Sequence, residues 1–307
     1  MKAPVSIFGP FGQGPVIPLV LEAPHASFDV PESVGAVIPR DRLLSHEGHD
    51  IGSREIAEHL YRELNGWLIT SERSRLIIEH NRTVDHHHTK FDWSPLPHVQ
   101  SRADRQRHID EHHKPYADAV ESVIKRVIAD ERLPVVVSVH TYTPETDGLR
   151  RRPFAVVGDE ASTLVKVLKA QLQIVFNAAS ATGQLSRIAD LTPTDLKNPI
   201  ALNEPYNLND VLPCGSANDF RKGVMAPCYA EGIGLPWVLV ETRQDIAHEP
   251  AIKKIFLLAM QRTLAHPDVQ NDFRQRERAF FSTMPRAGRR GMTGPAPAAG
   301  HGPSSVQ

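Results

Sequence analysis

The chain has 307 residues, with 35 Lys plus Arg against 36 Asp plus Glu, a formal net charge of −1 with histidine neutral. That balance gives no field to draw the whole protein onto nucleic acid or an anionic membrane, and 40% hydrophobic with 23% charged residues excludes a largely disordered chain. Two cysteines, Cys214 and Cys228, cannot build a disulfide framework, no stretch approaches the roughly 20 apolar residues of a membrane span, and the first residues lack the apolar run of a secretory signal, so the expected location is the cytoplasm.

In chain order, Val16–Leu21 reads as a strand broken only by Pro18. Asp50–Leu64 has apolar residues at 56, 57, 60, 61 and 64, the spacing of one helix face. Trp67–Thr70 and Leu76–Ile78 are strand candidates. Residues 83–108 are polar, contain His and Pro, and are too long for an idle connection, so they are expected to form a functional loop. His112–Ile128 carries Tyr116, Ala119, Val120, Val123, Ile124, Val127 and Ile128 on one helical stripe. Leu133–Val139 (LPVVVSV) is nearly all apolar, as a strand buried on both faces reads. Phe154–Val157 is a further strand, Ala161–Phe176 a helix, Trp237–Val240 (WVLV) a buried strand and Ala251–Leu264 a closing helix. This alternation predicts a single α/β domain over residues 1–284, in three layers, with a mixed, mostly parallel sheet and helices on both faces. Residues 285–307 are Arg, Gly, Pro, Ala and Ser with almost no large apolar side chain, and are expected to be a disordered tail.

Open α/β sheets bind ligands beyond the carboxyl ends of their strands. His25 follows PLVLEA, Asn81-Arg82 follows RLIIEH, His140 follows LPVVVSV and Glu241 follows WVLV. Sixteen histidines are the compositional outlier, and two of them fall at these ends. Two neutral imidazoles and one carboxylate make a catalytic zinc set with a fourth position for water, whose pKa zinc lowers. The carboxylate comes from His46-Glu47-Gly48-His49-Asp50; Asp50 is the first candidate because it opens a helix, and Glu47 is its rival. Glu241 is then the general base, the alternative being a buried partner for Arg243.

The chain resembles the N-formylglutamate amidohydrolase family. The resemblance is carried by Ala23-Pro24-His25-Ala26-Ser27, Asp50-Ile51-Gly52, Ser74-Arg75-Leu76-Ile77-Ile78-Glu79-His80-Asn81-Arg82, Lys114-Pro115-Tyr116, Ser138-Val139-His140-Thr141, Asn203-Glu204-Pro205-Tyr206 and the run Leu235–Asp245, in that order. It covers roughly residues 16–265. It implies a fold similar to zinc carboxypeptidases, one zinc ion per chain on His25, Asp50 and His140, Glu241 as catalytic acid/base, Arg75 as a group polarising the scissile carbonyl, and Asn81 with Arg82 holding the carboxylate of a small-molecule substrate. The activity it implies is cleavage of an N-formyl or N-acyl amino acid, N-formylglutamate among them. A carboxypeptidase-like peptidase acting on a small peptide or cell-wall fragment is the alternative, and a metal-free binding protein of the same fold the third reading.

Arg82 has only Glu79 as an acidic neighbour in sequence, and Glu79 is expected to point away from it. An acidic substrate side chain would need a second cation, for which Arg75, Arg150 and Arg243 are the candidates. The remaining clusters have plainer expectations: His86–His88 as a solvated loop, His108 and His112 as a substrate contact or surface pair, and Arg150-Arg151-Arg152 as a solvated face, the alternative being contact with an anionic substrate from the loop after His140.

Overall fold

The three central strands of the sheet are buried along their whole length, and two of them carry His140 and Glu241. The computed structural model describes residues 3–11, 18–35, 37–82, 84–89, 91–146, 148–204 and 225–283. Within these lie nine strands: β1 (Val5–Phe8), β2 (Leu19–Ala23), β3 (Trp67–Ser71), β4 (Val135–Tyr142), β5 (Glu145–Thr146), β6 (Leu149–Arg150), β7 (Phe154–Val157), β8 (Ile200–Leu202) and β9 (Trp237–Arg243). Seven form one sheet in the order β1-β3-β2-β4-β9-β7-β8, while β5 and β6 pair separately. The central pairs β3–β2, β2–β4 and β4–β9 are parallel, as is β7–β8. The pairs β1–β3 and β7–β9 are antiparallel. The expected mixed, mostly parallel sheet is what the chain forms.

Helices cover both faces. Leu19, Leu21, Val135, Val137, Val139, Val238 and Val240 pack with helices Ser53–Leu64, Thr163–Ala181 and Pro250–Ala265 in one core. Val20, Val136, Trp237 and Leu239 point the other way and pack with helices Lys114–Ala129 and Met225–Gly232. Alternation along each strand therefore splits the apolar residues into two cores. A third, smaller core (Val34, Ile38, Leu43, Ile77, Ile78, Trp93, Leu96, Val99, Ile109) lies under the segment between residues 30 and 109.

Several expectations need correction. Leu76–Ile78 is not a strand: residues 75–77 form a turn, and Ile77 and Ile78 are buried in the third core instead. An apolar triplet alone does not distinguish a strand from a turn plugged into a core. Residues 83–108 contain the short helices Val84–Thr89 and Arg102–His108 rather than one loop, and Ser101 caps the latter with Asp104 in a reciprocal box. The helix expected from 112 begins at Lys114, after a π-helical turn Ile109–His113. The strands β4 and β9 run past their expected ends, so His140 and Glu241 lie within strands rather than after them. The tail beyond 284 and Cys214 lie outside the described residues, as does the side chain of Cys228.

Candidate metal centre and active site

Asp50 reaches the sheet through a turn. Its backbone N–H donates to the His25 carbonyl at 3.0 Å, which ties the segment after β2 to the start of the Ser53–Leu64 helix. Gly52 precedes that helix at φ 88°, a left-handed conformation, and a Cβ there would lie 2.7 Å from the Ala247 methyl. Asp50 therefore stands three residues before the helix, with its carboxylate beside His25 and His140. One donor atom from each of His25, Asp50 and His140 lies within 4.8 Å of the others, and all three residues are buried. Glu47, the rival, does not join them: it pairs with Arg42 at 2.5 Å and its side chain is about half exposed.

The hydrogen bonds around this cluster decide which ring nitrogens face inward. His140 Nε2 lies 3.0 Å from Ser138 Oγ, and Ser138 Oγ donates its one proton to Glu22, which also accepts from Tyr116 Oη at 2.5 Å. Ser138 must then accept from His140 Nε2–H, which leaves His140 Nδ1 as a lone pair 2.9 Å from Asp50 Oδ2. His25 repeats the pattern. Its Nε2 donates to Glu79, and its Nδ1 lies 3.2 Å from the same Asp50 oxygen. Two imidazole lone pairs and a carboxylate oxygen converge on one point, each imidazole held by an outer acceptor, as metal-ligating histidines are. The residues present thus fit a divalent cation with nitrogen and oxygen ligands.

The electrostatics agree. Burial disfavours the charged form of Asp50, but His25 and His140 hold its carboxyl well below the usual range. Burial likewise opposes ionisation of Glu79, and Arg75 with His25 overrides it. Arg75 donates to Glu79 at 2.7 Å and to Asp50 at 3.3 Å. For His25, burial and the Arg75 charge oppose protonation, yet Glu79 and Asp50 carry its pKa above the ordinary value. A site that draws a proton in this way is a site for positive charge.

Glu241 is different. It is His140's register partner across β4–β9, so both side chains leave the same face of the sheet. Its Oε2 is buried with no hydrogen-bond partner among the described residues. Burial first, and the Asp50 charge second, push its pKa up to about 8. The alternative role as Arg243's partner fails. Arg243 is fully buried and is paired with Asp195 at 3.0 Å and Asp245 at 2.7 Å.

The other expected site residues are distributed less simply. Asn81 and Arg82 follow a turn, not a strand. The Asn81 backbone N–H donates to Glu79 Oε1 at 3.0 Å, and its side-chain Oδ1 is buried with no partner among the described residues. Arg82 is half-buried, its carbonyl accepts from His113 Nε2 at 2.6 Å, and its charge helps keep Glu79 ionised. Glu79 makes no ion pair with Arg82 among the described residues; it contacts His25 and Arg75 instead. His87 is buried rather than solvated, and His108 and His112 are buried with ring centroids 4.4 Å apart, not on the surface. Sequence reasoning missed Glu22, Glu79 and Ser138. Two of them carried a signal: Glu22 interrupts LVLEA and Ser138 interrupts VVVSV, and a polar residue inside a buried strand requires a partner.

A protein-family model described as N-formylglutamate amidohydrolase matches residues 17–247. Among solved structures, a gene product from Agrobacterium tumefaciens is 24% identical, with a TM-score of 0.63, covering 87% of this chain and 97% of that one. An N-formylglutamate amidohydrolase from Ralstonia eutropha JMP134 is 18% identical, with a TM-score of 0.55, covering 89% of this chain and 99% of that one. At these identities the likeness is one of fold. No curated protein matches the chain.

Proposed function

Because the chain belongs to the N-formylglutamate amidohydrolase family, we propose that it is a metal-dependent amidohydrolase that cleaves an N-formyl or N-acyl amino acid bearing a free carboxylate, N-formylglutamate being the first substrate to test. The observation that carries this reading is the convergence of His25 Nδ1 and His140 Nδ1 on Asp50 Oδ2, with the outer nitrogen of each ring already occupied. These three residues would hold one zinc ion. When bound, it would polarise the scissile carbonyl and lower the pKa of adjacent water.

Glu241 supplies the proton chemistry. As a carboxylate it takes a proton from the attacking water while the water oxygen bonds to the amide carbon. It then gives that proton to the departing amine as the C–N bond breaks, leaving formate or another acid and the free amino acid. A carboxyl poised near neutrality can do both, because neither its protonated nor its ionised form is strongly disfavoured. Burial of Glu241 and its unpartnered Oε2 support this role. Arg75 places positive charge beside the cluster, where a developing carbonyl oxyanion benefits from it. Asn81 and Arg82 hold the substrate carboxylate, a task suited to a forked guanidinium.

Metal analysis of the purified chain, combined with a turnover screen of N-formyl and N-acetyl amino acids and of short peptides, tests the reading. One divalent ion per chain and turnover of N-acyl amino acids are expected. Full activity after the metal is stripped, or cleavage of peptides alone, would overturn it.

A further inference from the structure

A dicarboxylic substrate needs a second cation, and the three arginines expected to supply it are occupied. Arg75 is bound to Glu79 and Asp50. Arg243 is bound to Asp195 and Asp245. Arg150 reaches Asp195 at 3.3 Å and donates to the Asp190 carbonyl. Arg151 stands apart from them. It is half-buried, its Nε is buried with no hydrogen-bond partner, and it has no ion pair among the described residues. Its backbone, by contrast, is pinned at both ends: its N–H donates to the Pro144 carbonyl at 2.8 Å and its carbonyl accepts from Arg243 at 3.1 Å. A half-buried guanidinium with no anion among the described residues is open to a ligand that supplies one.

Arg151 lines a cavity of about 280 Å³ with Tyr142, Arg150, Arg152 and Asp195. Asp195 is neutralised there by Arg243 and Arg150, Arg152 donates to the Asn198 carbonyl at 3.2 Å, and Glu204, also on the lining, is solvent-exposed. The cavity therefore carries excess positive charge. Its position relative to the metal centre follows from β4. Tyr142 lies two residues beyond His140, so its side chain leaves the same sheet face about 6.6 Å further along at the strand rise of about 3.3 Å per residue. That step is comparable with the span from the amide carbon of an N-acylated glutamate to its side-chain carboxylate.

We propose that Arg151 is the specificity-determining cation of the site, and that the cavity between Tyr142 and Asp195 receives the side-chain carboxylate of an acidic N-acyl amino acid. The inference rests on the amidohydrolase reading for its substrate class but not for its test. Calorimetry on the full chain would compare glutarate with pentanoate, which has the same carbon count and one carboxylate fewer. Wild-type protein is expected to bind glutarate at least about tenfold more tightly, as a charge-assisted pair allows. Arg151→Gln should shrink that ratio to about threefold or less, and Arg151→Lys should restore part of it, with melting temperatures showing that both variants fold. In turnover, the kcat/KM ratio of N-formylglutamate over N-formylnorleucine should fall in parallel. Equal or absent binding of the two probes to wild type, or a ratio unchanged in Arg151→Gln, overturns the proposal. If Arg151 discriminates the probes but no N-acyl amino acid is hydrolysed, the binding inference stands and the amidohydrolase reading falls; hydrolysis with an unchanged ratio does the reverse.

Discussion

Ser138 and His140 sit two residues apart on β4 and are joined by a 3.0 Å contact between Oγ and Nε2. Ser138 Oγ already donates to Glu22, so the contact fixes the His140 proton on Nε2 and turns Nδ1 toward Asp50. Ser138→Ala removes that acceptor and frees the ring to take the wrong tautomer. Outer partners of this kind are worth about 10–100-fold in metal affinity. Competition with a chelator of known affinity should show a loss in that range; unchanged affinity would dismiss the relay. His140→Ala should lose the ion altogether.

Glu241→Gln should keep the metal and lose turnover by about 10²–10⁴-fold, the usual contribution of a general acid–base group. Retained metal with a near-normal rate would assign Glu241 a structural role.

The same variant has a stability signature in chelator-treated protein. Burial and the Asp50 charge raise the folded-state pKa of Glu241 from 4.5 to about 8. A group with a raised folded pKa contributes stability fully below its unfolded pKa, and that stability is lost as pH rises through the folded pKa. Between about pH 4.5 and 8 the wild type should therefore lose stability relative to Glu241→Gln, and the gap should level off above pH 8. Melting curves of both proteins across pH 5–9 measure it. A constant gap would mean that Glu241 is ionised at no unusual cost.

Arg82→Lys should leave metal content intact and lower kcat/KM about tenfold, equivalent to about 1.4 kcal/mol. Masking the substrate carboxylate as an amide should cost wild type a similar factor and the variant little more, because the two groups act on each other. Equal rates on masked and free substrate would remove Arg82 from substrate binding.

Arg243→Met should be among the most damaging substitutions outside the metal centre. It leaves Asp195, buried at 3% exposure, without its closest cation. Removing one partner of a buried pair costs about 3–5 kcal/mol. Denaturant unfolding would read it, and a loss below about 1 kcal/mol would show that Arg150 compensates.

The metal-centre residues were legible because their chemistry is unusual for their surroundings. His25 follows a short apolar run and His140 a β-branched one, and an imidazole at that position stands out by residue type alone. Glu241 stood out in the same way, and the extension of β4 and β9 by a few residues moved it and His140 into the strands without changing their face. The Asn81-Arg82 pair was placed beyond a strand that does not exist, because Leu76–Ile78 is apolar enough for either a strand or a buried turn. Spacing alone does not show that His87, His108 and His112 are buried, because short local helices and a π-helical turn fold them into the protein.

The sequence by itself determined five strands of the sheet, the long helices that cover it and the residue types at the candidate metal centre, since periodicity and strand ends are local properties of the chain. Only the tertiary structure decided which partners those residues have. It chose Asp50 over Glu47, turned Glu79 into the site, bound Arg75, Arg150 and Arg243 to carboxylates and left Arg151 without one among the described residues. The reason is physical: hydrogen bonds and ion pairs here join residues tens to more than a hundred positions apart, and their geometry follows from strand register and from left-handed turns such as Gly52, which composition and spacing do not encode.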